Sequence, residues 1–199
     1  MKPELPQQLY PTPEAWWHWL EKSWGDSPGV WMKIAKKGAP ESSVQYPEAL
    51  EAALCFGWID GQKKSIDEHY WLQKFTPRAK RSIWSKVNCG KVADLIERGL
   101  MQAPGLAEIE RAKQDGRWEA AYDSWSAAEV PDDLGAALAA CAPAQRNFAA
   151  LNSQNRYAIL FRIHTAKRAE TRAKRIADFV SGLERGQAPY PQAGFTTIK

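Results

Sequence analysis

The sequence lacks any apolar run near the roughly 20 residues that a membrane-spanning helix needs, so no such helix is predicted. It is poor in cysteine: Cys55, Cys89 and Cys141 are an odd set at long spacings. They suggest neither a disulfide framework nor a zinc pattern, and they fit a reducing cytoplasm. His18, His69 and His164 are scattered, and no metal-ligand spacing is present. The start, Met1-Lys2-Pro3-Glu4-Leu5-Pro6, has neither the apolar segment nor the small-residue cleavage site of a secretory signal. A Walker loop, a dinucleotide-binding glycine fingerprint and a nucleophile elbow are all missing. No cofactor is implied, and a non-catalytic protein is favoured over an enzyme.

What is present suits a globular protein. The 199 residues allow one large domain or two small ones, and a chain of this size can build a core without staples. The net charge of +4 is too small to imply a nucleic-acid partner by itself. Its distribution is uneven. Residues 61–91 carry a local balance of +6 and residues 156–185 one of +5, on an otherwise acidic chain. Either the two segments converge into an anion-attracting patch, or they are separate solvated faces.

Periodicity gives the organisation. Residues 1–12 read as an N-terminal arm rich in Pro and Gln. Thr12-Pro13-Glu14 opens a helix with an N-cap, a first-position proline and a favourable acid, and Trp16, Trp19 and Leu20 form its apolar face. Val30, Met32 and Ile34 alternate with Trp31 and Lys33, a strand pattern. Pro47 opens a second helix that Gly57 ends. Trp58–Ser65 and His69–Phe75 read as a hairpin, with Asp60-Gly61 as an alternative turn. From Lys91 onward helical spacing dominates, with a short aromatic piece at Trp118–Trp125. The predicted fold is α+β: a small antiparallel sheet of about three strands with packed helices, followed by a C-terminal helical module. The expected division is a Trp-rich α+β domain over 13–130, a basic helical module over 131–186 and a loose tail over 187–199.

Residues 54–88 read LCFGWIDGQKKSIDEHYWLQKFTPRAKRSIWSKVN. Phe56-Gly57-Trp58-Ile59-Asp60, Phe75-Thr76-Pro77-Arg78, Ser82, Trp84-Ser85-Lys86 and Asn88 resemble the signature of the YdeI/OmpD-associated family, the bacteriocin-protection proteins. Gly99, Met101, Gly105, Gly116-Arg117-Trp118 and Ala121-Tyr122 extend the likeness. Ala166-Lys167, Glu170-Thr171-Arg172 and Lys174-Arg175-Ile176 resemble its terminal helical module. The resemblance spans roughly residues 16–186. It implies a stress or protection role against bacteriocins or cationic antimicrobial peptides, and it brings no catalytic residues.

The stretch FTPRAKRSIWSK is the most chemically loaded. In one reading Arg78, Ser82, Ser85 and Lys86, with Trp84 and Asn88, form an anion pocket, since Arg with hydroxyls and an aromatic face is what phosphate contacts use. In the other, Arg78 pairs with Asp60 to brace the hairpin and Trp84 is core. Asp60, at a strand start, can be a desolvated acid or base, the centre with Arg78 of a small enzyme, or a turn residue. Cys89 sits among basic residues that favour a thiolate, but no base lies near it in sequence. Arg168, Arg172 and Arg175 at i, i+4 and i+7 make a second basic surface, a phosphate-backbone contact or a solvated face. Trp16, Trp19 and Trp31 read as core, while Trp17 and Trp24 do not fit those faces and are either exposed or part of a second contact surface. The leading expectation is a cytoplasmic protection protein with an anionic ligand or protein partner. Nucleic-acid binding through both basic segments is the alternative.

Overall fold

The computed structural model describes residues 4–123 and 129–198, and the chain divides into two units, Met1–Ala121 and Tyr122–Lys199. The first unit runs β1 (Gln7–Leu9), α1 (Pro13–Ser23), β2 (Val30–Ala35), α2 (Tyr46–Cys55), β3 (Trp58–Ser65), β4 (Tyr70–Pro77), α3 (Lys86–Glu97) and α4 (Ala103–Gln114). Thr12 caps α1 as expected, its hydroxyl accepting the Ala15 N–H at 3.2 Å.

The expected N-terminal arm is in part an edge strand. β1 pairs in parallel with β2, Gln8 opposite Met32. The fold is α+β as predicted: the three expected antiparallel strands are β2, β4 and β3, and β1 adds a parallel edge, so the sheet is mixed in the order β1-β2-β4-β3. Three residues are too few for alternation to register, which is why the strand escapes a pattern reading. Asp60-Gly61 is not the hairpin turn. The β3–β4 register shifts between Asp60 and Lys63, a bulge within the hairpin.

Register assigns the two faces, because directly opposed residues point the same way. Val30 opposes Phe75 and Met32 opposes Gln73 on one face, while Trp31 opposes Lys74 and Lys33 opposes Leu72 on the other. Val30, Met32, Ile34, Phe75 and Trp58 join Trp16 and Leu20 of α1, Leu50 and Leu54 of α2, Val92 and Leu95 of α3 and Ile109 of α4 in one apolar core. Trp16 and Trp19 stack at 5.2 Å. Trp31 is buried as expected, and it stands on the opposite face of the sheet from this core. Trp17 packs edge-on against Phe56 at 5.0 Å, whereas Trp24 is exposed.

α3 begins at Lys86, five residues before the Lys91 expected, because Ser85 is its N-cap and accepts the Asn88 N–H at 3.1 Å. α4 approaches the end of α2 closely. Gln102 N–H donates to the Cys55 carbonyl at 3.1 Å, and a Cβ on Gly105 would run into that same carbonyl oxygen. Gly57 ends α2 at φ +74, and a Cβ there would lie 3.0 Å from the Pro104 carbonyl.

The second unit holds α5 (Asp132–Ala139), α6 (Ala142–Ala150), α7 (Ser153–His164), α8 (Ala169–Glu184), β5 (Gln187–Ala188) and β6 (Thr196–Thr197). Leu134, Leu138, Phe148, Ile159, Ile163, Phe179 and Leu183 form its own core. The tail is not loose. β5 and β6 pair in parallel, Ala188 is fully buried, and Phe195 and Ile198 pack on the helical core. The buried Asn155 fixes it, accepting Tyr190 N–H at 2.7 Å and donating to the Tyr190 carbonyl at 3.2 Å. Of the aromatic piece Trp118–Trp125, residues 124 and 125 lie outside the described residues.

Gly105 gives a test whose sign opposes helix propensity. Ala in a helix interior ordinarily gains up to about 1 kcal/mol over Gly. Here Gly105→Ala is expected to destabilise by about 1–3 kcal/mol through overpacking, read as a lower urea midpoint. An unchanged or raised midpoint would mean that α4 can move away from α2 freely.

Candidate functional site

The FTPRAKRSIWSK segment leaves the sheet at Pro77 and turns sharply. Ser82 N–H donates to the Ala79 carbonyl at 2.9 Å, and Ala79 N–H donates to the Ser82 hydroxyl at 3.0 Å. Arg78 N–H continues the hairpin to the Gly57 carbonyl at 3.0 Å. The Arg78 guanidinium, only 6% exposed, lies 3.6 Å over the Trp84 ring. Its Nη1 donates to the Ile83 carbonyl at 3.2 Å. Trp84 in turn packs on Trp118 at 4.9 Å.

A second buried arginine completes the arrangement. Arg117 Nε donates to both Asp115 oxygens, at 2.8 and 2.7 Å. Its Nη1 reaches the Ser82 carbonyl at 2.8 Å and Glu108 at 3.3 Å. Glu108 is as deeply buried as the arginines, and Arg111 pairs with its other oxygen. The hydrogen bond from Arg117 holds the Asp115 carboxyl below the usual carboxylate range. Two buried donors, Trp84 Nε1 and Arg117 Nη2, find no acceptor among the described residues.

A cavity of about 350 Å³ opens beside this cluster. Arg78, Glu108 and Arg111 supply its charged lining, and Trp24, Phe56 and Trp58 are its aromatic walls. Two guanidiniums against one carboxylate leave the lining positive. Sequence reasoning missed Glu108, Arg111 and Asp115. Glu108 and Arg111 are spaced i, i+3 on α4, and Arg117 stands in the Gly116-Arg117-Trp118 motif, which are the signals that were available.

The other expected site residues separate. Asp60 does not brace Arg78; its carboxylate accepts the Tyr46 hydroxyl at 2.9 Å, and it does not line the cavity. Ser82 shapes the turn, while Ser85 and the Asn88 backbone form the α3 cap. Lys86 is exposed on the first turn of α3. Burial pushes the Cys89 thiol up and outweighs the Arg78 cation, so the surroundings do not favour a thiolate. Burial likewise pushes the Cys55 thiol up to about 11.

The two basic segments fall in different units. In the second unit Arg168 is the N-cap residue of α8. Arg172 grips Asp133 at 2.6 and 2.9 Å and donates to the Ile163 carbonyl at 3.0 Å. Arg175 donates to the Arg162 carbonyl. Arg172 and Arg175 thus cap the C-terminus of α7, where cations are favoured. A larger groove of about 780 Å³ runs along α5 and α8 beside them, lined mainly by Ala137, Ala140, Ala173, Ile176, Ala177 and Val180. It lacks a buried charge comparable to Arg78. Among the described residues no group of three His, Cys, Asp or Glu side chains is placed to hold a metal, and no helix is long and apolar enough to cross a membrane.

Comparison with known families divides the chain in the same sense. Residues 9–108 match a domain of unknown function, DUF8412. Residues 127–186 match the family described as bacteriocin-protection, YdeI or OmpD-associated. The likeness to that second family is thus confirmed for the terminal helical module, while the 54–88 block falls within the first match. No curated protein and no solved structure matches the chain.

The Asp133–Arg172 pair predicts a pH effect. The hydrogen bond from Arg172 lowers the Asp133 pKa, so its stabilisation is complete above the ordinary carboxylate value of about 3.9. It is lost as pH falls through the lower folded value. Asp133→Asn is expected to melt below the parent at neutral pH and to lose less on acidification. Melting curves at neutral pH and near pH 3 check this, and an acid loss equal to the parent's would refute it.

Proposed function

The chain belongs to the family defined by the DUF8412 domain, with a bacteriocin-protection, YdeI or OmpD-associated module in its second unit, and from that premise we propose that it is a non-catalytic protection protein that binds a peptide through a carboxylate. The observation that carries this reading is the Arg78 guanidinium, buried in the wall of an aromatic cavity with Arg111 beside it. Arg78 and Arg111 place positive charge at this wall, and such a charge in a partly desolvated cavity attracts a carboxylate. Trp24, Phe56 and Trp58 offer apolar area for the side chain next to that carboxylate. A peptide presents this combination at its C-terminus.

Proton transfer is not part of the reading. Asp60 is held by Tyr46 and stands outside the cavity lining, and Glu108 is engaged by Arg111 and Arg117. The free thiols Cys55, Cys89 and Cys141 suit action in the reducing cytoplasm.

Calorimetric titration with two acetylated peptides ending in Phe, one with a free carboxylate and one amidated, tests the reading. The acid is expected to bind at least about tenfold more tightly, the scale of one charge-assisted hydrogen bond. Arg111→Gln, which leaves the buried Arg78 untouched, is expected to shrink that preference. Equal affinity for acid and amide, or no binding of either, would overturn the proposal.

A further inference from the structure

The face of the first unit's sheet opposite the helices carries a pattern independent of the cavity. The register places Lys33 and Lys64 in one row, both opposite Leu72 of β4. They stand two strands apart, about 10 Å. On one side of this row lie Trp31 and Lys74, directly opposed, and on the other lie Ala35 and Tyr70.

The lysines reach diagonally onto the rings. Lys33 Nζ sits 3.7 Å from the Tyr70 centroid, Lys64 Nζ 4.4 Å from that of Trp31, and Lys74 Nζ 5.9 Å from Trp31. Trp31 and Tyr70 are 8% and 6% exposed, yet neither belongs to the core under the helices. Lysine stems and ammoniums lie across their outward faces, as long amphipathic side chains do over apolar surface. The Tyr70 ring is held in place, its hydroxyl accepting the Glu41 N–H at 3.1 Å.

None of the positions that the register assigns to this face is an Asp or Glu. Asp67, whose charge reaches Lys33, is already engaged by the N–H groups of His69 and Tyr70 at 2.8 and 2.7 Å. Among the described residues, the strand positions of this face are thus cations and rings without a carboxylate between them.

We propose that this face binds single-stranded nucleic acid. A cation resting on a ring is weakly held at an exposed site, about 0.5–1 kcal/mol, and a phosphate is a stronger partner. Lys33, Lys64 and Lys74 move from the rings to the phosphates, and the uncovered Trp31 and Tyr70 stack bases. An unpaired strand offers phosphates and free base faces alternately, which matches cations and rings set side by side. A duplex keeps its bases stacked internally, and a lipid surface has no rings to stack. Either would use the lysines alone.

Fluorescence anisotropy with labelled oligothymidylate of about 15 nucleotides, its duplex with oligoadenylate, and phosphatidylglycerol vesicles tests this. The parent is expected to prefer the single strand to the duplex and to vesicles. The triple variant Lys33→Gln, Lys64→Gln, Lys74→Gln should bind the single strand at least about tenfold more weakly. Its log–log salt slope should be shallower by about 2, three phosphate contacts at about 0.7 each. Lys64→Gln alone, at an exposed position, should show a proportionate loss if the triple variant folds poorly. Lys63→Gln removes a lysine that lies over Trp71 rather than Trp31 or Tyr70 and should leave affinity within about twofold. Failure of the parent to bind, equal affinity for strand and duplex, tighter binding to vesicles, or an undiminished triple variant would each overturn the proposal.

Discussion

The Arg78 guanidinium resting 3.6 Å over the Trp84 indole ties the exit of β4 to the start of α3. A buried cation needs acceptors as well as a ring, and here the turn supplies one. The consecutive carbonyls of Ser82 and Ile83 are taken by different arginines, Arg117 and Arg78. The turn after the sheet is thereby held between two guanidiniums, one from β4's exit and one from the segment after α4. Glu108 and Asp115 then balance Arg117. Breaking such a set by removing one member costs more than the set adds, because a charge is left buried without its counterpart.

The first unit gives two of its arginines and three of its lysines opposite tasks. Arginines Arg78 and Arg117 are inside, where a planar, weakly hydrated fork can serve several acceptors. Lysines Lys33, Lys64 and Lys74 are on the sheet, where flexible stems cover rings and strongly hydrated heads meet water. The second unit uses arginine inwardly too, Arg172 and Arg175 closing the end of α7. A stretch that reads as uniformly basic is thus made of groups with opposite tasks, and charge counting alone does not separate them.

Local chemistry made much of the fold legible. The Thr12 cap, the Trp16 and Leu20 face, the alternation over Val30–Ala35 and the stop at Gly57 are all decided within a few residues of themselves. The edge strand β1 and the tail pairing of β5 with β6 are not, since each is two or three residues long and exists only through a distant partner. The signature block was legible as important but not in its roles. Ser85 reads equally well as an anion ligand and as a helix cap, and only the position of the Asn88 N–H distinguishes them. Asp60 and Arg78 look complementary in sequence, yet the fold gives one to Tyr46 and the other to Trp84. Glu108 was hidden because an ordinary helix-surface spacing carries no sign of burial.

The tail bears on how the chain folds during synthesis. Ala188, Phe195 and Ile198 contribute to the second core, and Asn155 is satisfied by Tyr190 and Gln192, some 35 and 37 positions later. While those last residues are still inside the ribosomal tunnel, α7 has a buried amide without its acceptors and the helical core lacks one wall. The first unit has all its strands and helices by Gln114 and is free to form much earlier. The nascent protein therefore passes through a stage in which a finished Trp-rich unit is followed by an unclosed alanine-rich one. The second unit thus closes its core later in synthesis than the first.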